Sequence, residues 1–171
     1  MGEDKSAEYR LWSTADHVSS GHQVEAVTKF TYLGSDIDSS GYCAPEIHRR
    51  LGLASSVMSQ LDRVWKQSHF SNSTKFRIYS SCVLSVLIYG SETWTMLKSD
   101  VTKLQSFHMQ NQRRILGIHW FDFIKNEEVS RITGLSPIDV VISQRRHSLF
   151  GHVRRMDDSR APAHQALFIL L

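Results

Sequence analysis

From Glu46 to Lys66 the apolar residues Ile47, Leu51, Ala54, Met58, Leu61 and Trp65 recur at steps of four and three. That spacing predicts a helix with a single buried stripe. Pro45 opens it where a missing N–H costs little. A second helix is predicted from Ser71 or Asn72, either of which can cap it, to Gly90. Phe76, Tyr79 and Val83 share one face of its first half, and its second half, Cys82–Tyr89, reads as apolar all round, so it should run through the core. Ser99 is expected to cap a third helix near 100–116, with stripe Val101, Leu104, Phe107 or His108, and Ile115, and with Gly117 as a left-handed stop. Asn126-Glu127-Glu128 begins a short helix ending at Gly134. Ser136-Pro137 then offers an N-cap and an N1 proline for a last helix reaching about Met156, carrying Ile138, Val141, Ile142, Leu149 and Val153.

Ahead of these periods the pattern changes. Residues 1–23 show no period and read as a weakly ordered lead-in with at most a strand near Arg10–Trp12. Within 24–42, Val24, Val27, Phe30, Tyr32, Leu33 and Ile37 predict one or two short strands, turning through Ser39-Ser40-Gly41. The fold class is therefore mainly α: a short β-hairpin (24–42), then a helical bundle (43–156), then a tail (157–171) that ends on "ALFILL" and reads as cut short. Connections this short favour antiparallel neighbours.

Composition adds little until charge is placed along the chain. The net charge is +3, but residues 1–70 hold seven Lys/Arg against nine Asp/Glu, and residues 71–171 hold thirteen against eight. A basic half points to a polyanionic partner. Two cysteines, Cys43 and Cys82, make neither a disulfide framework nor a four-ligand metal site, so the thiols are expected to be reduced. The longest apolar run, "CVLSVLIY" at 82–89, is far below the roughly 20 residues of a membrane span, so no membrane partner is expected. "MGEDKS" matches a myristoylation pattern at Gly2, but Glu3 and Asp4 oppose an anionic bilayer, which favours an unmodified terminus.

The nine histidines are scattered, and His147 and His152, five apart, point different ways on a helix. Asp157-Asp158 in "RRMDDSR" could suggest a two-cation site. They follow a helix end, however, and Arg155 and Arg160 flank them, so they read as a solvated turn. No catalytic residue, metal ligand or cofactor site is assigned. What remains is positive charge on predicted helices: Arg49, Arg50, Arg63, Lys66, Lys75, Arg77, Arg113, Arg114, Arg145, Arg146, Arg154 and Arg155. Outward-facing, these residues can contact successive phosphates. They can equally be an ordinary solvated surface, and composition leaves both readings open.

Four phrases in order narrow the choice: "YLGS" at 32–35, "LIYGSETW" at 87–94, "RRILGI" at 113–118 and "GHVRRM" at 151–156. Together they resemble the region C-terminal to the catalytic palm in endonuclease–reverse transcriptases of non-LTR (LINE-type) retrotransposons, over about Val24–Met156. The resemblance implies that the Tyr-Leu-Gly hairpin is primer-grip-like, with Phe30, Tyr32, Leu33 and Gly34 near the primer end. It implies that the helices are thumb-like and lie along the minor groove of an RNA/DNA template–primer duplex or RNA, held weakly. Joined with the basic residues above, it makes Tyr32, Leu33, Gly34, Arg49, Arg50, Arg63, Lys66, Arg113, Arg114, Arg145, Arg146, Arg154 and Arg155 the nucleic-acid-binding candidates. The family's Tyr/Phe-x-Asp-Asp hairpin is missing from this sequence, and Thr31 stands where the family often has Lys. Mg2+ would thus belong to the complete parent enzyme, and the expectation is a non-catalytic polymerase fragment. The alternative is a degenerate element-derived helical interaction protein, self-associating through exposed core surface.

Overall fold

The computed structural model describes residues 43–155 in full and, before them, the backbone of four short strands. β1 (Val18–Ser19) pairs antiparallel with β2 (His22–Gln23). β3 (Lys29–Tyr32) pairs antiparallel with β4 (Ser35–Asp38), in the register Lys29↔Asp38 to Tyr32↔Ser35. Arg10–Trp12, Leu33, Gly34, Asp157-Asp158 and the terminal "ALFILL" lie outside the described residues, as do all side chains before Cys43.

From Cys43 onward the chain is mainly helical. α1 (Ala44–Gln60) and the single turn α2 (Asp62–Trp65) are set apart by Leu61. α3 (Asn72–Ile78) continues through a widened π turn (Tyr79–Leu84) into α4 (Ser85–Leu87), and a 3₁₀ turn follows at Ser91–Thr93. α5 (Lys98–Leu116), α6 (Asn126–Thr133) and α7 (Ile138–Arg154) complete the bundle. Gly90, Gly117 and Gly134 each adopt positive φ just past a helical segment, where a Cβ would be strained.

The core forms where the stripes meet. Ile47, Ala54 and Met58 from α1 pack with Tyr79, Val83, Leu87, Leu104, Ile138 and Ile142. Trp65 is buried and donates its indole N–H to the Met58 carbonyl (2.9 Å), folding α2 back on α1. The segment 82–89 is less uniform than its composition predicts. Cys82, Ser85 and Tyr89 are exposed while Val83, Leu84, Leu87 and Ile88 are buried. Leu149 likewise leaves the predicted α7 stripe and faces outward.

Two caps differ from expectation. Ser71 caps α3 as predicted, accepting from Thr74 N–H at 3.1 Å. Leu97, not Ser99, precedes α5, and Asp100 reaches back to accept the Leu97 N–H (3.1 Å). At α7, Pro137 itself occupies the cap position. The Ile138 N–H is satisfied by Gln105 Oε1 of α5 at 2.8 Å. A neighbouring helix supplies what the local sequence was expected to supply.

Candidate nucleic-acid interface

The basic residues of α1 are largely turned to structural use. Glu46 is only 1% exposed and Arg50 only 6%, and Arg50 Nε donates to Glu46 Oε1 at 2.7 Å. The Arg50 guanidinium also lies over the Tyr89 ring, 4.4 Å from its centroid. Arg49 binds both oxygens of the same carboxylate at 2.8 Å each. The expectation that Arg50 faces outward is therefore corrected. A buried carboxylate one turn earlier needs a cation, and Arg50 supplies it. Lys75 is corrected in the same way: it is buried, and its Nζ donates to the Trp65 carbonyl at 2.6 Å, closing the end of α2.

On α7 the arginines divide. Arg145 pairs with Glu92 at 2.7 Å, and Arg146 donates to the Trp94 carbonyl, so both pin α7 to the 3₁₀ turn. Arg154 and Arg155 are exposed at the helix end and form no ion pair among the described residues.

Four of the predicted residues converge at one end of the bundle. Asp62 opens α2, and it receives Lys66 at 2.6 Å and Arg114, from the last turn of α5, at 2.8 Å. The two cations hold the Asp62 carboxyl below its ordinary range, Lys66 contributing most and Arg114 next. One carboxylate thus answers two cations, and exposed Arg63 adds a third. Arg113 projects from the same turn of α5, but its partners are neutral: the Ile124 carbonyl at 2.6 Å and Asn126 Oδ1 at 2.9 Å. Among the described residues no acid compensates its charge, while its bonds fix the α5–α6 connection. Exposed Lys125 forms no ion pair among the described residues. Glu127 and Glu128 open α6 nearby, and Arg131 grips Glu128 at 2.6 Å, lowering that carboxyl. Cations remain in excess at this end.

The connection itself presents rings to solvent. After the Gly117 stop, a 3₁₀ turn (Trp120–Asp122) leaves Trp120 85%, Phe121 54% and Phe123 87% exposed. His119 stacks on Phe121, with centroids 5.1 Å apart and planes 12° from parallel. Trp120 meets Phe121 edge-on at 5.7 Å. Asp122 accepts the His119 N–H at 2.6 Å, so this acid is occupied within the loop.

With this geometry in view, one likeness bears on origin. The chain is 27% identical over 146 residues to an uncharacterized transposon-derived protein of Caenorhabditis elegans, a match that covers 83% of this chain and 52% of that protein. This chain therefore spans about half the length of that relative. No protein-family model matches the chain, and no solved structure matches it. The likeness supports an origin in a transposable element.

Of the predicted site residues, Arg63, Lys66, Arg113 and Arg114 come together. Arg49 and Arg50 are drawn to Glu46, Arg145 and Arg146 to the Glu92–Trp94 turn, and Arg154 and Arg155 stand apart. The Tyr32 side chain, Leu33 and Gly34 lie outside the described residues. Sequence reasoning missed Lys125 and the ring cluster. The signal was present in "HWFDF": a connection between two helices rarely holds three large rings unless they are buried.

Proposed function

We propose that the chain is a helical nucleic-acid-binding segment derived from the polymerase of a transposable element. It holds RNA/DNA template–primer duplex or RNA weakly and performs no nucleotidyl transfer by itself. The observation that supports this reading is the convergence of Arg63, Lys66, Arg113, Arg114 and Lys125 at one end of the bundle, with two cations sharing Asp62 and Arg113 bound, among the described residues, only to neutral acceptors. Such an end attracts a phosphate backbone without reading sequence. The resemblance to non-LTR reverse transcriptases supplies the duplex as ligand, and it assigns the Tyr32-Leu33-Gly34 hairpin to the primer end. Mg2+ and the catalytic carboxylates belong, on this reading, to the complete parent enzyme.

The test is a filter-binding titration of an RNA/DNA hybrid at two salt concentrations. A Kd in the micromolar range or weaker, rising steeply with salt, is expected. Arg63→Ala with Lys125→Ala should weaken binding, and it should flatten the salt slope by about one for each phosphate no longer held. Helicity should stay unchanged, since neither side chain holds the fold. Absence of binding at low salt, or binding indifferent to salt, would refute the proposal. A second reading, a degenerate helical interaction protein, draws on exposed Leu149 and Phe150 beside each other on α7. Under it, the double substitution changes nothing, and sedimentation shows the chain self-associating.

A further inference from the structure

We infer that the loop His119–Phe123 is a stacking site for unpaired bases of single-stranded nucleic acid. The inference rests on the nucleic-acid reading above but assigns a different contact and a different ligand. Trp120 and Phe123 are the two most exposed large hydrophobic residues among those described, and they stand three positions apart. Phe123 has φ +51°, in the left-handed region that bulky residues avoid. A residue held there with its ring in solvent gains no packing energy from the fold, so strain and exposure together point to a ligand.

The surroundings decide which ligand. Arg113 holds the base of the loop through the Ile124 carbonyl and Asn126 Oδ1 and meets no acid among the described residues. Lys125 follows two residues after Phe123 and is exposed without an ion pair among the described residues. Arg114 and Lys66 share a single carboxylate on the adjoining turn. The one acid within the ring cluster, Asp122, is bound to the loop's own backbone. Rings set among cations in excess match a strand that offers flat faces and phosphates in alternation. A paired duplex hides its base faces, and an apolar protein partner would have no use for the cations.

The experiment compares the folded chain's affinity for a short oligothymidylate with that for an abasic strand of equal length and charge, alongside the RNA/DNA hybrid. The base-bearing strand should bind about tenfold or more tighter than the abasic one, the effect of one or two stacked bases. The double variant Trp120→Ala with Phe123→Ala should lose that preference while still binding the hybrid and the abasic strand as before. Equal affinity for both strands in the unmodified chain, with hybrid binding intact, overturns the stacking site and leaves the phosphate-binding reading standing. If none of the three ligands binds at low salt, both fall. Rings that serve instead to dock a polypeptide would show no base preference, and removing them would change the sedimentation of the chain. That result also overturns the inference.

Discussion

At the scale of single residues, the decisive groups are buried polar ones whose partners come from elsewhere in the chain. His108 is fully buried in α5, where apolar periodicity left a choice between it and Phe107. The ring belongs inside because both of its nitrogens are answered. Ser136's carbonyl only accepts, so Nε2 (3.2 Å away) carries the proton, and Nδ1 accepts from the Tyr79 hydroxyl at 2.9 Å. Burial pushes the Tyr79 hydroxyl up and keeps it a donor, while burial of His108 holds its pKa below the ordinary value. The sign of the linkage follows. A depressed folded pKa means that the unfolded chain binds this proton more readily, so the stabilisation is complete above about pH 6.5 and drains away as pH falls toward the folded value. Urea midpoints measured downward from neutral pH should therefore decline, and His108→Gln should flatten that decline. A midpoint equally pH-dependent in the variant would remove His108 as the cause.

At the scale of elements, helix periods were legible and helix ends were only partly so. The stripes of α1 and α5 announce themselves because one face must leave water, and the glycine stops Gly117 and Gly134 are local conformational facts. Caps are a different matter, since any acceptor that arrives in the right place will serve. Gln105 of α5 takes the Ile138 N–H, while Ser136, the residue type that usually does so, makes no cap bond. Gln105→Ala should lower the unfolding free energy by about 1 kcal/mol, the cost of an orphaned donor at a helix start. Ser136→Ala should stay within about 0.5 kcal/mol of the parent, as surface changes usually do. Chemical denaturation of the two variants decides the point, and the reverse ranking would contradict the cap described.

At the scale of the whole molecule, the arginines sort into those that hold the bundle and those that bind nothing among the described residues. Arg145 and Arg146 tie α7 across to Glu92 and the Trp94 carbonyl, joining positions more than fifty residues apart. Arg154 and Arg155, at the end of the same helix, tie nothing among the described residues. Replacing the first pair by alanine should lower stability by at least about 1 kcal/mol, because Glu92 and the Trp94 carbonyl lose their donors. Replacing the second pair should leave the thermal midpoint nearly unchanged. A thermal melt of each double variant checks this, and equal effects would mean that the pinning bonds carry no stability. Arg49, Arg50, Arg145 and Arg146 are for the same reason poor probes of ligand binding, whereas Arg63 and Lys125 are clean ones.

By itself the sequence determined the mainly helical class, the faces of α1 and α5, the Ser71 cap, the glycine stops and the basic second half. These are properties of spacing, of single backbone positions and of net charge, and each is local. It could not determine which cations are spent inside the fold. The burial of Glu46 beneath Arg49 and Arg50, the reach of Arg114 to Asp62, and the Glu92–Trp94 turn gripped from α7 exist only once the helices pack. Coulomb attraction and the cost of an unanswered buried polar group act over a few ångströms of space, whatever the distance along the chain. Of the dozen basic candidates, packing gathers Arg63, Lys66, Arg113 and Arg114 at one end of the bundle, where the rings of His119–Phe123 follow the last turn of α5.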